Sequence, residues 1–143
     1  MMDFGAARSR NGVIFIARVA LMALFVIFGW QKLTAFGATT DYFSHTGLPL
    51  PTLAAAFAIA VELLCGLALI AGFVTRPVAI FLALYTLATA FIGHPYWTMT
   101  GVDQYEAMTN FYKNVSIIGG LLLLYATGGG KYSLDARLWP MKL

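Results

Sequence analysis

Four long apolar runs, at about 13–30, 50–74, 77–93 and 111–127, leave this chain of 143 residues few choices of fold. Each holds about 17 to 25 residues, enough at about 1.5 Å per residue to cross a hydrocarbon core roughly 30 Å thick. Backbone in hydrocarbon must satisfy its own N–H and C=O groups, which a helix does within one segment. The expected architecture is therefore all-α: an integral membrane four-helix bundle, one domain over residues 1–143, with the lipid bilayer as its first partner. Composition agrees, since only 10% of the residues are charged against about 25% in a soluble domain.

The segments between the runs read as connections. Residues 31–51 carry Lys, Asp, His, Gly and two Pro, and within them 39–45 suits a short amphipathic helix along the surface. Gly47-Leu-Pro-Leu-Pro51 then turns the chain into the second run. Residues 72–77 form a tight connection, with Pro77 suited to the first turn of the next helix. Residues 94–110 are polar and aromatic and read as a long outer loop, and Gly128-Gly-Gly130 ends the fourth helix.

Positive charge sets the orientation. Arg8, Arg10, Arg76, Lys131, Arg137 and Lys142 fall on one side of the spans, Lys32 and Lys113 on the other. The excess of Lys and Arg on the inner side places both termini in the cytoplasm. A removable export signal over residues 1–35 is the competing reading. Arg18 interrupts its apolar core, however, and Trp30-Gln-Lys-Leu33 is a poor approach to a cleavage site.

Within the spans, Glu62 is a lone carboxylate in a run otherwise free of formal charge. Such a group is costly in lipid, faces a bundle interior and finds a partner, and it marks a functional position by default. Arg18, Met22, Phe25, Gly29 and Lys32 recur every three or four residues, so the first span presents them on one stripe. Counted from the ends of the runs, Glu62 lies about 18 Å deep and Arg18 about 10 Å from it in depth. Arg18 is thus the expected counter-ion, forming a structural Arg18–Glu62 pair. Gly66, one turn from Glu62, would let a neighbouring helix approach closely.

A second group gathers at the outer ends: Lys32, His94, Lys113 and Asn114. Two lysines, a histidine and an amide suit an anionic or carbonyl-bearing ligand such as a quinone head group. Lys32, Lys113 and Asn114 are the expected ligand-binding residues, and His94 with Glu62 the expected catalytic, proton-handling ones. No metal site is expected, because His45 and His94 are the only histidines and no HxxxH, CxxC or ExxH spacing occurs. Cys65 stands alone, which excludes internal dithiol chemistry. Scattered positive charge gives no nucleic-acid footprint.

Arg18, Phe28-Gly-Trp-Gln-Lys-Leu33, Tyr42-Phe-x-x-x-Gly-Leu-Pro49, Val61-Glu62, Gly72-Phe-x-Thr-Arg76, His94, Lys113-Asn114 and Tyr132-Ser-Leu-Asp135 occur in the order that resembles the DoxX family of small bacterial membrane proteins. The resemblance runs over roughly residues 13 to 135. Its closing motif differs, with Gly128-Gly-Gly130 standing in place of a Gly-Pro-Gly ending. It implies a four-helix protein of the bacterial inner membrane and a link to quinone or thiol redox chemistry. On this reading the chain is a component of a quinone-linked oxidoreductase, the quinone itself being the cofactor. Two other classes stay open: a non-catalytic scaffold that recruits a soluble redox enzyme, and a small-molecule transporter. The partners left open are a soluble or membrane redox protein and further copies of this chain.

Overall fold

The computed structural model describes residues 6–140, with side chains from residue 9 onward. The Arg8 side chain and Lys142, both used in the charge argument, lie outside the described residues. Among the described residues the protein is all-helical, with no strand.

The first run forms α1 (Ala6–Thr34). It is followed by α2 (Phe36–His45), the short surface helix expected within 31–51, none of whose residues is buried. The second run is helical from Pro51 to Ala71, but not uniformly. It comprises α3 (Pro51–Ala60), a π turn (Val61–Cys65) and α4 (Gly66–Ala71). The third run is α5 (Thr75–Gly93), followed by a 3₁₀ turn (Tyr96–Thr98). The fourth is α6 (Gly101–Thr127), and a last short helix is α7 (Leu134–Leu138).

By length and apolarity, three segments can cross a membrane: Ser9–Thr34, Pro51–Ala71 and Thr75–Thr98. α6 is as long as these, at 27 residues, but its first half carries Asp103, Gln104, Glu106, Thr109, Asn110 and Lys113. That first half corrects the reading of 94–110 as a loop. Polarity marks residues that sit in water, and it does not distinguish a coil from a helix that has left the hydrocarbon. Asp103 in the first turn favours the helix by facing its partial positive end.

The buried residues of α1 are Arg18, Met22, Phe25 and Gly29, the stripe expected from sequence, while Val13, Ile16, Ile27 and Trp30 point outward. That outward apolar surface is what lipid as solvent requires. α1 runs antiparallel to the second span, and two glycines set how near they come. A Cβ at Gly29 would lie 3.0 Å from Leu63 Cγ and 3.1 Å from Glu62 Cβ, and one at Gly66 would lie 2.9 Å from Val26 Cγ2. Each helix therefore lacks a side chain where the other presses closest, the small-residue mode of packing in membranes.

α5 and α6 pair along their length, from Arg76 against Ala126 at one end to Phe91 against Phe111 at the other. Ala79, Ala83, Thr86 and Ala90 line the buried side of α5, and Asn114, Ile117, Leu121 and Leu124 that of α6. Met22, Phe25, Val61, Leu69, Leu82 and Leu121 join the helices in one core. This core fills one half of the molecule. The other half stays partly open.

Candidate functional site

Three helices and the π turn converge on the open half. α1 brings Lys32 in its last turn. The π turn places Glu62, which is 8% exposed. α5 contributes Tyr85, Thr86 and Thr89, with His94 just past its end, and α6 contributes Asn110, Lys113 and Asn114. α2 covers them with Tyr42 and Phe43. Together they enclose a cavity of about 460 Å³.

Glu62 is held from two directions. Lys32 Nζ donates to both carboxylate oxygens, at 3.0 Å to Oε1 and 2.7 Å to Oε2. The Tyr85 hydroxyl donates to Oε1 at 2.9 Å. Lys32 also lies over the Phe28 ring, 6.0 Å from its centre. A carboxylate that accepts from an ammonium and a phenol has the charge-assisted partners that burial demands. The π turn is the local reason for its placement. One extra residue in the turn widens the helix and redirects its side chains, a device found often at functional sites.

The expected Arg18–Glu62 pair does not form. Arg18 is 1% exposed and spends its guanidinium on main-chain carbonyls instead. Nη2 donates to Ile70 O at 2.9 Å and Tyr132 O at 2.8 Å, and Nη1 donates to Gly129 O. Depth counted from the edges of the apolar runs misplaces both cations. α1 continues to Thr34, so Lys32 is inside the helix, three residues or about 4.5 Å beyond Gly29, which faces Glu62. Arg18 is level with the far end of the second span, beside Ile70.

Arg18 thereby belongs to a different constellation. Asp135 accepts from Val74 N at 2.6 Å and Thr75 N at 2.8 Å, which caps the start of α5, and its own N–H donates to Gly72 O at 2.9 Å. Lys131 N donates to Asn11 Oδ1 at 2.9 Å. The motifs Gly72-Phe-x-Thr-Arg76 and Tyr132-Ser-Leu-Asp135 therefore meet each other, and Arg18 ties both to α1.

Of the six residues singled out from sequence, Lys32, Glu62, His94, Lys113 and Asn114 all line the one cavity, and Arg18 does not. Their engagement differs. Lys32 has two of its three protons on Glu62, and Lys113 Nζ donates to Asn110 Oδ1 at 2.8 Å. Asn114 is buried on the wall, and among the described residues neither its amide nor the His94 ring has a hydrogen-bond partner. Sequence reasoning missed Tyr85. The signal available was the cluster Tyr85, Thr86 and Thr89, polar groups on neighbouring positions of an otherwise apolar span.

These features define a class first: an all-helical, multi-pass membrane protein with a polar cavity at one end of its helices. The DoxX family model matches residues 13–95, and the chain belongs to that family. It is 47% identical over 135 residues to the inner membrane protein YphA of Escherichia coli K12, covering 94% of this chain and 95% of that protein. It is 39% identical over 128 residues to the inner membrane protein YqjF of the same organism, covering 87% and 91%. A more distant likeness, 22% over 130 residues, is to the ER-derived vesicles protein ERV29 of Saccharomyces cerevisiae, covering 91% of this chain and 35% of that one. No solved structure matches. The chain is a bacterial inner membrane protein. Arg18, Lys32, Glu62, Tyr85 and His94 fall within the family match, and Lys113 and Asn114 lie beyond it.

Proposed function

We propose that this protein is a membrane oxidoreductase component that binds a quinone-class ring in the cavity around Glu62. The observation that carries the reading is a Lys32–Glu62–Tyr85 cluster, with Glu62 buried, lining the same cavity as two unengaged polar groups, Asn114 and His94. A ring with oxygens on opposite sides uses both ends of such a site. Asn114 and Lys113 hydrogen-bond one oxygen. Tyr85, whose proton is given to Glu62, offers the other oxygen an acceptor, which suits the hydroxyl of the reduced ring. Glu62, reached through the Tyr85 hydroxyl, would be the proton acceptor, Lys32 would hold its carboxylate in the charged form until then, and His94 would exchange protons with the outside. The quinone supplies the redox chemistry when bound.

On the same proposal α6 completes a four-helix bundle as one domain. Arg10, Arg76, Lys131 and Arg137 lie toward the end where Arg18 holds the tail, which supports cytoplasmic termini and puts the cavity in the outer half. A soluble or membrane redox partner would receive the electrons, and self-association stays compatible with the exposed apolar surface.

The test is titration of a methylnaphthoquinone into the protein in lipid nanodiscs, read by quenching of tryptophan fluorescence. Saturable binding that weakens at least tenfold in Glu62→Gln and Asn114→Ala supports the reading. Absence of saturation, or affinity untouched by both substitutions, overturns it.

A further inference from the structure

A second cavity, of about 220 Å³, adjoins the first and shares with it the walls made by Tyr42, Phe43, Tyr85, Thr89 and Gly93. Its own walls differ in kind. Ala54, Phe57 and Ala58 of α3 and Ala88 and Ile92 of α5 surround it, with Leu48 at the turn before α3. Thr46 donates to Phe43 O at 2.9 Å, Thr89 to Thr86 O at 3.0 Å, and Tyr85 turns its hydroxyl to Glu62. Among the described residues no charged side chain lines it. An apolar cavity of about 150 Å³ stays dry and takes up a hydrocarbon the size of benzene. A larger one walled almost wholly by carbon has the same preference.

We infer that the two cavities form one bipartite site, and that its ligand is an amphiphile drawn from the bilayer, with a polar ring against Glu62 and Asn114 and a hydrocarbon tail between α3 and α5. The inference rests on the proposed ring site and adds what that site alone does not state: a water-soluble metabolite would leave the smaller cavity unused. Continuity is the argument for this occupant. Tyr85 stands on the boundary, its hydroxyl turned to Glu62 in the polar cavity and its ring packed 6.3 Å from that of Phe57 in the apolar one. A molecule lying across Tyr85 changes from polar to apolar where the protein does.

The experiment compares a tail-less methylnaphthoquinone with the same ring carrying one and two isoprene units, in nanodiscs. Affinities are expressed as mole fraction in the lipid, so that partitioning into the bilayer cancels. Affinity is expected to rise at least tenfold from no tail to one or two units. Ala88→Phe and, separately, Ala54→Leu fill the smaller cavity. Each is expected to remove that gain while leaving the tail-less ring within twofold of its original affinity, with thermal unfolding checking that the variants are folded. Binding of the ring with no dependence on tail length overturns the bipartite site and leaves the ring site standing. Equal weakening of all three compounds in both folded variants also overturns it, as does a tail-dependent gain that persists in both, which would point to bilayer chains filling the cavity instead. Failure of every compound to bind overturns the ring site and the inference together.

Discussion

Arg18 and Lys32 stand on the same stripe of α1, both cationic, both committed to partners on other elements. Arg18 gives its protons to the carbonyls of Gly129, Ile70 and Tyr132, and it lines neither of the two cavities described above. Lys32 gives two of its protons to a carboxylate, at the edge of about 460 Å³ of open space. The planar, always-charged guanidinium, with five donors, suits several fixed carbonyls at once; the ammonium, a compact charge on a flexible stem, suits a single carboxylate. One end of the bundle is thus closed by its cation and the other is kept open around its cation. On the proposed reading, the first cation holds the fold and the second serves a site.

That separation is open to challenge by substitution. The largest effect is expected from Lys32→Ala, which leaves Glu62 buried without its counter-charge and costs about 3–5 kcal/mol, read by thermal unfolding in mild detergent. The paired change Lys32→Met with Glu62→Leu is expected to recover most of that stability, because an apolar pair of similar size replaces a buried ion pair at little cost. Ring binding should stay lost. Recovery of binding in the pair would erase the functional half of the comparison.

Of comparable size is Arg18→Ala. Orphaning three carbonyls at about 1–3 kcal/mol each predicts a loss of at least about 3 kcal/mol, together with faster proteolysis of the tail after Gly128. Ring affinity of the folded fraction should remain within twofold. A folded Arg18→Ala protein that no longer binds would show that the two ends are coupled, and the contrast would fall. Smaller still is Tyr85→Phe, which removes a hydrogen bond to a charged group and is expected to cost about 1.5 kcal/mol in stability. It should also abolish any preference for the reduced ring over the oxidised one, measured by titrating both. The smallest expected change in stability, about 1 kcal/mol or less, is for Asn114→Ala, whose amide has no hydrogen-bond partner to lose among the described residues. Its effect belongs in affinity.

Much of this was legible in the sequence because membrane helices advertise themselves. The stripe Arg18-Met22-Phe25-Gly29 follows from 3.6-residue periodicity, and α2 from the pattern around 39–45. Lys32, Glu62, His94, Lys113 and Asn114 could be singled out because polar groups in or beside apolar runs are few. What sequence could not supply was register. Glu62 pairs with Lys32 because Gly29 and Gly66 fix where two helices touch, and no count from the ends of apolar runs contains that contact. The start of α6 was hidden for the opposite reason: residues 101–110 are polar enough to resemble a loop, although they are helical. Tyr85 was overlooked since an aromatic residue in a span looks the same whether it faces lipid or a carboxylate.

The π turn at Val61–Cys65 has a consequence for how this span is numbered. One residue more than an α-helix needs is threaded between Ala60 and Gly66. Were every residue kept and the turn tightened to a regular α-helix, the extra residue would rotate one half of the span by about 100° relative to the other. The half that carries Ala54, Phe57 and Ala58 would swing by that angle relative to the half that carries Gly66 and Leu69. Glu62 would leave Lys32, and the apolar wall would leave Tyr85, in a single step. The wide turn therefore absorbs the phase of the extra residue and keeps two faces of the molecule aligned.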